Sequence, residues 1–230
     1  MKLSLIIPAY NEEKNLEVTC HKLRAYLETK PFSFEIIVVE DGSNDATREI
    51  LKRLENGLIK AIYFKDNQGK GAAVKAGMAR VSGDLALFMD ADNSTDLREI
   101  DHFLELIDSG YDLVIGSRAL KDSIITIRQP LWKEILGKLG NRIIKLMTGL
   151  KFKDTQCGFK IFNRQAKTLF DDLKNTSWAF DVELLLKAQK RGLRVKEQPI
   201  IWQNDPDSKF SLKCYLKFLW ELVKIKLNNL

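Results

Sequence analysis

Short runs of apolar residues alternate along the chain with segments in which apolar residues recur every three or four positions. The runs predict five buried strands, at residues 3–8, 35–39, 60–64, 85–89 and 113–116. The segments between them predict helices. Asn11 or a residue around it is the expected first N-cap, and Ser43 or Asn44 is the expected second. Strands that alternate with helices predict an α/β fold, with a mostly parallel sheet and helices on both faces.

Polar and glycine-rich residues follow each predicted strand at its carboxyl end. Asp90 and Asp92 follow the fourth strand, and side chains at i and i+2 of an extended segment point to the same side. Such a pair suits Mg²⁺ or Mn²⁺ that holds a diphosphate, although solvated turns also contain Asp-x-Asp. Ser94 and Asp96 are both candidates for a third metal ligand. Because ligands bind at the carboxyl edge of open α/β sheets, five such loops indicate a nucleotide-handling domain.

Composition adds a strong charge asymmetry to this picture. The 230 residues are 45% hydrophobic and 30% charged, which suffices for one domain with a sizeable core. The net charge of +6 is concentrated in residues 121–153 and 209–230, while the rest of the chain is mildly acidic. A basic surface can meet nucleic acid, an anionic membrane or phosphorylated substrates.

The cysteines and histidines exclude some kinds of site. Cys20, Cys157 and Cys214 lie far apart without a CxxC motif, and both histidines belong to helical patterns. A zinc cluster or a catalytic triad is therefore not expected. Widely spaced cysteines without a signal-peptide pattern predict a cytoplasmic protein with reduced thiols.

Seven short motifs follow one another along nearly the whole chain. They are Pro8-Ala9-Tyr10-Asn11-Glu12, Glu40-Asp41-Gly42-Ser43, Gly69-Lys70-Gly71, Asp90-Ala91-Asp92, Gly116-Ser117-Arg118, residues 154–160 and residues 178–184. In this order they resemble the family-2 glycosyltransferases, which have a GT-A (Rossmann-like) fold. The later motifs are similar to those of dolichyl-phosphate (polyprenyl-phosphate) β-glucosyltransferases and, less closely, of dolichyl-phosphate mannose synthases.

The sequence departs from these families in two places. The eukaryotic glucosyltransferases of this type carry an N-terminal membrane anchor, whereas Met1 leads directly into the first predicted strand. The mannose synthases have an Arg and a Gly ahead of a Ser-Lys pair, and residues 203–209 lack that pattern. The second departure favours glucose over mannose as the transferred sugar.

The resemblance implies an inverting glycosyltransferase. It would move a sugar, with glucose from UDP-glucose as the first choice, to a polyprenyl or dolichyl phosphate at the cytoplasmic membrane face. A mannosyltransferase that uses GDP-mannose is the enzymatic alternative, and a nucleotide-sugar sensor without turnover is the non-enzymatic one. Nucleic acid is not expected as a partner, because the basic residues lie on apolar helices without a nucleic-acid motif.

On the nucleotide side, the ring of Tyr10 could stack on a base or pack over the following helix. The resemblance implies that carboxylates and neighbouring residues of the first strands bind the nucleotide: Pro8, Tyr10, Glu12, Val39, Asp41 and Ala91.

Around the diphosphate, the resemblance implies that Asp90, Asp92 and Ser94 hold the metal, which would neutralise the leaving nucleoside diphosphate. Lys70 lies at a helix N-terminus and Arg118 ends the fifth strand, so both cations could meet phosphate oxygens. The alternatives are that the glycines beside Lys70 only allow close helix packing and that Arg118 forms a surface ion pair.

On the acceptor side, the nature of the acceptor decides which residues matter. An alcohol would need a base, for which Asp181 is the candidate. A lipid phosphate is already ionised and would need cations, for which Arg128, Lys209 and Lys160 are available. Asp181 and Glu183 could instead brace the helix that follows them.

The basic segments also predict amphipathic helices. Residues 130–150 and 212–227 each have an apolar face, but neither contains the uninterrupted run of about 18 residues that a membrane span needs. Such helices could lie in a membrane interface near the acceptor or pack on the core. We therefore expect a catalytic domain over 1–210, with a peripheral membrane-interface segment at 121–150, and a C-terminal amphipathic helix over 211–230.

Overall fold

A central seven-stranded sheet organises the chain. The computed structural model describes residues 1–205 and 212–229. In chain order the strands are β1 (Lys2–Ala9), β2 (Ser33–Glu40), β3 (Ile59–Tyr63), β4 (Leu85–Met89), β5 (Leu113–Ser117), β6 (Ile124–Ile127), β7 (Phe159–Phe162), β8 (Val195–Pro199) and β9 (Ile201–Gln203). The sheet order is β3-β2-β1-β4-β7-β5-β8, and β6 pairs with β9 in a small second sheet.

The five predicted strands are confirmed as β1 to β5. Neighbours β3, β2, β1 and β4 are parallel, as are β5 and β8, whereas β7 runs antiparallel between β4 and β5. Side chains alternate between two core layers, so that Ile6 of β1 lies in one layer and Leu5 and Ile7 lie in the other. A sheet buried on both faces explains why these strands are almost continuously apolar.

Helices cover both faces of the sheet, which confirms the α/β prediction. They are α1 (Leu16–Glu28), α2 (Thr47–Leu54), α3 (Lys70–Met78), α4 (Glu99–Asp108), α5 (Leu131–Thr148), α6 (Arg164–Lys167), α7 (Phe180–Lys190) and α8 (Leu212–Asn229). Side chains of α1, α2 and α4 pack in one core layer, and those of α3, α7 and α8 pack in the other.

Asn11, Ser43 and Asn44 are not the N-caps of the first two helices. The caps of α1 and α2 are Asn15 and Ala46, and neither makes a side-chain capping bond. Asn11 has a positive φ of 54°, and its Oδ1 accepts from the N–H of Asn44 at 2.8 Å. Ser43 Oγ accepts from the N–H of Asn11 at 3.0 Å. These polar residues therefore tie the loops after β1 and β2 to each other instead of capping helices.

The two amphipathic helices pack against each other, with Gly140 of α5 facing Tyr215 and Phe218 of α8. Each helix also has an exposed apolar face. The exposed side chains are Leu131, Trp132, Ile135, Leu139 and Leu146 of α5 and Leu216, Trp220, Val223 and Leu227 of α8. Each helix thus has one apolar face on the core and another directed outward. None of the helices in the described residues is long and apolar enough to cross a bilayer.

Candidate active site

Three cavities adjoin one another along the carboxyl edge of the sheet, beside the ends of β4 and β5. The first, of about 380 Å³, lies beside the ends of β1 and β2, and we call it the β1 cavity. The second, of about 200 Å³, is the central cavity, and Asp90, Asp92 and Lys70 line both of these. The third, of about 740 Å³, is the basic groove along α5, which shares Arg118 and Lys133 with the central cavity. One continuous surface thus runs from β1 past the Asp pair to α5.

Asp90 and Asp92 both line the β1 and central cavities, although β4 ends at Met89 and Asp92 lies in a turn and not in an extended segment. The N–H of Asp90 donates to the carbonyl of Gly158 at 3.1 Å, which ties the end of β4 to the segment before β7. The Asp90 carboxylate lies so close to Gly158 that a Cβ there would overlap it. Asp92 Oδ1 accepts from the N–H of Ser94 at 2.9 Å. Burial and the neighbouring charge of Asp90 raise the pKa of Asp92 to about 6.

This arrangement fits a divalent cation whose remaining ligands come from a substrate. Ser94 Oγ lines the central cavity and is buried without a well-formed hydrogen bond, although its proximity to Asp92 opposes the rise in the pKa of that carboxyl. Across the described residues no group of three or more His, Cys, Asp or Glu side chains could hold a metal alone. Asp96 pairs with the guanidinium of Arg98 at 2.7 Å, which leaves Ser94 as the better third ligand.

Lys70 lies beside Asp90 and Asp92. Its Nζ lies 2.6 Å from Asp90 Oδ1 and 5.8 Å from the ring centre of Phe88. Burial alone would lower the pKa of Lys70, but the charges of Asp90, Asp181 and Asp92 outweigh burial and raise the pKa. Lys70 is therefore a permanently protonated side chain at the junction of the β1 and central cavities.

The loop before α3 is already largely hydrogen-bonded within the protein. The N–H groups of Gln68 and Gly69 donate to the two carboxylate oxygens of Asp41 at 2.7 and 2.9 Å. The N–H of Ala72 donates to the carbonyl of Thr176 at 2.9 Å. These N–H groups are therefore engaged within the protein, and Lys70 is the main feature of this helix N-terminus that could bind an anion.

Most predicted nucleotide-binding residues come together around the β1 cavity. Its lining includes Pro8, Tyr10, Glu12, Asp41, Lys70 and Ala91. Val39 is different, because its side chain is fully buried in the core layer beneath α3. Burial raises the pKa of Asp41. The hydrogen bonds that its carboxylate accepts from the loop before α3 oppose this rise. Asp41 therefore both shapes the cavity and lines it.

Arg118 lies in the central cavity and the basic groove, not in the β1 cavity. Its Nε and Nη2 donate to the two carboxylate oxygens of Asp154 at 2.7 and 2.9 Å, and its backbone N–H donates to the same carboxylate. Its guanidinium also lies 5.3 Å from the ring centre of Trp202. Arg118 is thus held in a bidentate ion pair at the boundary where a donor and an acceptor would meet.

Asp181 lines the central cavity and is paired with a buried lysine. Lys160 Nζ lies 2.7 Å from Asp181 Oδ1 and donates to the carbonyl of Cys157 at 2.6 Å. Lys160 is therefore a buried partner of Asp181 and not a free cation for an acceptor phosphate. Glu183 accepts from the N–H groups of Lys174 and Asn175. These bonds agree with the alternative that Glu183 braces its helix.

The remaining predicted cations lie in the basic groove or outside the described residues. Arg128 is exposed and lines the basic groove, and Lys209 falls in the segment that the structure does not describe. The groove is lined along α5 by further cations at Lys133, Lys138, Arg142 and Lys145. A row of this length fits an extended anionic surface better than one phosphate.

Several lining residues received no role from the sequence. Trp178 lines both the β1 and central cavities, and Trp202 lines the central cavity and the groove. Asp154 orients Arg118, and Tyr215 reaches the central cavity from α8. Asp154 and Trp178 open two of the seven motifs, so motif position was the available signal. Trp202 and Tyr215 had no such signal.

Comparison with known proteins gives the family. Residues 4–170 match the model described as Glycosyl transferase family 2. The chain is 38% identical to Dolichyl-phosphate beta-glucosyltransferase ALG5C of Trichomonas vaginalis, covering 96% of this chain and 70% of that protein. It is 34% identical to Glycosyltransferase AglD of Haloferax volcanii, covering 92% of this chain but only 35% of the relative.

Solved structures give the same fold at lower identity. Mannosyl-3-phosphoglycerate synthase from Rubrobacter xylanophilus superimposes with a TM-score of 0.75 at 18% identity, covering 100% of this chain and 74% of that one. Glucosyl-3-phosphoglycerate synthase from Mycobacterium tuberculosis, crystallised with Mn²⁺, UDP and phosphoglyceric acid, superimposes with a TM-score of 0.71 at 16% identity. The match covers 98% of this chain and 78% of that one. The chain therefore belongs to glycosyl transferase family 2 and has the GT-A fold.

Proposed function

We propose that the protein transfers glucose from UDP-glucose to a polyprenyl or dolichyl phosphate, with inversion at the anomeric carbon. The observation that carries the proposal is the continuity of three compartments. The β1 cavity meets the central cavity at Asp90 and Asp92, and the central cavity meets the basic groove at Arg118. A nucleotide, a sugar and an anionic acceptor each have a chemically suited compartment along this surface. The names of the dolichyl-phosphate β-glucosyltransferases among the relatives support the same pairing of sugar and acceptor.

In the donor site, the β1 cavity would hold the nucleoside and the Asp pair would face the diphosphate. Tyr10 offers a ring for a base, while Glu12 and Asp41 offer carboxylate oxygens to base or ribose hydroxyls. Lys70 contacts Asp90 at the junction of the β1 and central cavities, where a diphosphate would lie. Tyr10, Glu12 and Asp41 would therefore orient the donor so that its sugar enters the central cavity.

Asp90, Asp92 and Ser94 would hold Mg²⁺ or Mn²⁺. When bound, the cation supplies charge neutralisation for the departing nucleoside diphosphate. The buried Ser94 hydroxyl and the poor compensation of the Asp92 charge support this assignment. The Mn²⁺ in a structure with this fold is a further support.

On the acceptor side, positive charge outweighs any available base. An oxygen of the acceptor phosphate would form the new bond to the anomeric carbon as the bond to the diphosphate breaks, and its electron pair would leave with UDP. This oxygen is already ionised near neutral pH, so a proton acceptor is not required. Arg118 and Arg128 would position the phosphate, and Asp181 is already engaged with Lys160.

The exposed apolar faces of α5 and α8 would place the groove at a membrane surface. They lie beside a row of lysines and arginines, which is the composition of helices that bind at the interface of anionic bilayers. The lipid tail of the acceptor could then stay in the bilayer while its phosphate enters the groove. We place the protein at the cytoplasmic face as a peripheral protein, with a catalytic domain over 1–210 and α8 as its C-terminal helix.

Sugar transfer by the variants Asp90→Asn and Asp92→Asn tests the donor site. Each loses an anionic metal ligand, so we expect the activity of the folded protein to fall on the order of 10³-fold. Asp96→Asn, which removes a nearby carboxylate paired with Arg98, is the matched control and should retain transfer. Near-normal turnover of either Asp variant, or full activity in EDTA, would contradict the metal assignment.

A further inference from the structure

Lys70 occupies the place where a cation on Asp90 would lie. Its Nζ lies 2.6 Å from Asp90 Oδ1, and its side chain is largely shielded from solvent. Asp92 has no comparable neutralisation, since the described residues provide no ion pair to it and its carboxylate accepts from the N–H of Ser94. Asp90, Asp92 and Lys70 together therefore carry a net charge of about −1.

This arrangement makes it unfavourable for a metal ion to bind without a diphosphate. A divalent cation that reaches Asp90 Oδ1 must displace an ammonium group that is already in contact with that oxygen. The displaced Lys70 would then lie within a few ångströms of a doubly charged ion, which is unfavourable in a partly buried site. A diphosphate removes this conflict, because its oxygens accept from the ammonium group and coordinate the metal together.

We propose that Lys70 keeps the metal off Asp90 until a nucleoside diphosphate binds, and that its ammonium group then moves from Asp90 to the diphosphate. The inference rests on the proposed donor site. Lys70 is a positioning residue in this scheme, because it acts through the charge on Asp90. Its consequence is strong mutual dependence, in which metal binds weakly without nucleotide and nucleotide binds weakly without metal.

The test is Mn²⁺ binding, measured as the loss of the free-ion electron paramagnetic resonance signal, with and without UDP. Lys70→Met and Lys70→Gln should each bind Mn²⁺ alone roughly tenfold more tightly than the wild type, as loss of one charge-assisted contact implies. The factor by which UDP tightens Mn²⁺ binding should be at least tenfold smaller in these variants than in the wild type. Lys75→Met removes a lysine of the same helix that donates to the Leu173 carbonyl, and it should match the wild type.

The outcomes separate the inference from the proposed function. If the wild type binds Mn²⁺ with UDP but both folded Lys70 variants bind Mn²⁺ alone no more tightly than it does, the inference is overturned and the donor site stands. The same holds if UDP tightens Mn²⁺ binding equally in all proteins. If the wild type binds no Mn²⁺ even with UDP, both the donor-site proposal and the inference are overturned.

Discussion

Lys160 Nζ lies 2.7 Å from Asp181 Oδ1, and both side chains are almost completely buried at the wall of the central cavity. Burial raises the pKa of Asp181, and the charge of Lys160 opposes that rise. A carboxylate held in this way has its nearest positive charge fixed beside it. The pair therefore favours a structural role for Asp181 over that of a mobile proton acceptor, which agrees with an acceptor that needs no base.

The first prediction concerns Asp181 and Arg128. Asp181→Asn leaves the Lys160 charge without its partner, so the free energy of unfolding should fall by about 3 kcal/mol. The folded fraction should still transfer sugar, without the steep pH dependence that loss of a general base produces. Arg128→Ala should instead lower kcat/KM for the lipid phosphate by roughly 10–150-fold, since a charge-assisted contact is lost.

The measurement for this prediction is kcat/KM against pH, corrected for the folded fraction. Lys121→Ala removes an exposed cation outside the groove lining and serves as the control for Arg128. An inactive Asp181→Asn protein together with a fully active Arg128→Ala protein would point to an alcohol acceptor.

The second prediction concerns the close approach of Gly158 to Asp90. A methyl group at Gly158→Ala would overlap the Asp90 carboxylate, which must then leave its present position. We expect Mn²⁺ affinity in the presence of UDP to fall at least tenfold, as measured by calorimetry. Gly57→Ala is the control, because its Cβ would meet nothing within 4 Å. Equal Mn²⁺ affinity in both variants would show that the position of Asp90 does not limit the site.

The third prediction concerns the exposed face of α5. Changing Trp132, Ile135 and Leu139 to Gln should weaken binding to anionic vesicles at least tenfold, because several apolar side chains lose a buried environment. The melting temperature should change little, since these side chains are already exposed. Val18→Gln, at an exposed apolar position of α1, should bind vesicles normally. Unfolding of the triple variant would assign these residues to the stability of the fold.

The fourth prediction concerns pH and the buried carboxylate of Glu35. Burial alone would raise the pKa of Glu35, but hydrogen bonds from Lys60, Ser4 and Ser82 outweigh burial and lower it to about 2. Because the pKa is lower in the folded than in the unfolded chain, the ionised carboxylate stabilises the fold at pH values above about 4.5. This stabilisation is lost as the pH falls toward 2.

Glu35→Gln should therefore cost about 1–3 kcal/mol of unfolding free energy at pH 7, and the difference from the wild type should shrink as pH falls below 4. Urea unfolding at pH 7, 4 and 3 gives this comparison. A difference that stays constant over this range would contradict the charge-based account.

The parts of the fold that follow from local pattern were predictable. Five apolar runs with polar ends predicted β1 to β5 and the edge that carries Asp90 and Asp92. By contrast, β7 is only four residues long and pairs antiparallel with β4 and β5, which are distant in sequence. No local signal fixes such a pairing, because it depends on which strand edges remain unpaired after the parallel sheet has formed.

The candidate site shows the same division. The Asp-x-Asp spacing alone predicted two carboxylates at one site, although Asp92 lies in a turn and not in an extended segment. The burial of Lys160 was not predictable, since a lysine pairs inside a protein only where tertiary contacts bring it to a carboxylate such as Asp181. Asn11 likewise suggested a cap, but it bonds to Asn44 across two loops, a contact that the sequence does not encode locally.

The measurement that tests the central claim most directly is product analysis with paired acceptors. The protein is incubated with Mn²⁺, with UDP-glucose or GDP-mannose, and with either a short polyprenyl phosphate or the matching polyprenol, and products are identified by mass spectrometry. The account predicts one new mass, the polyprenyl phosphate plus one hexose, with UDP-glucose only. Transfer to the polyprenol, or transfer from GDP-mannose alone, would contradict it.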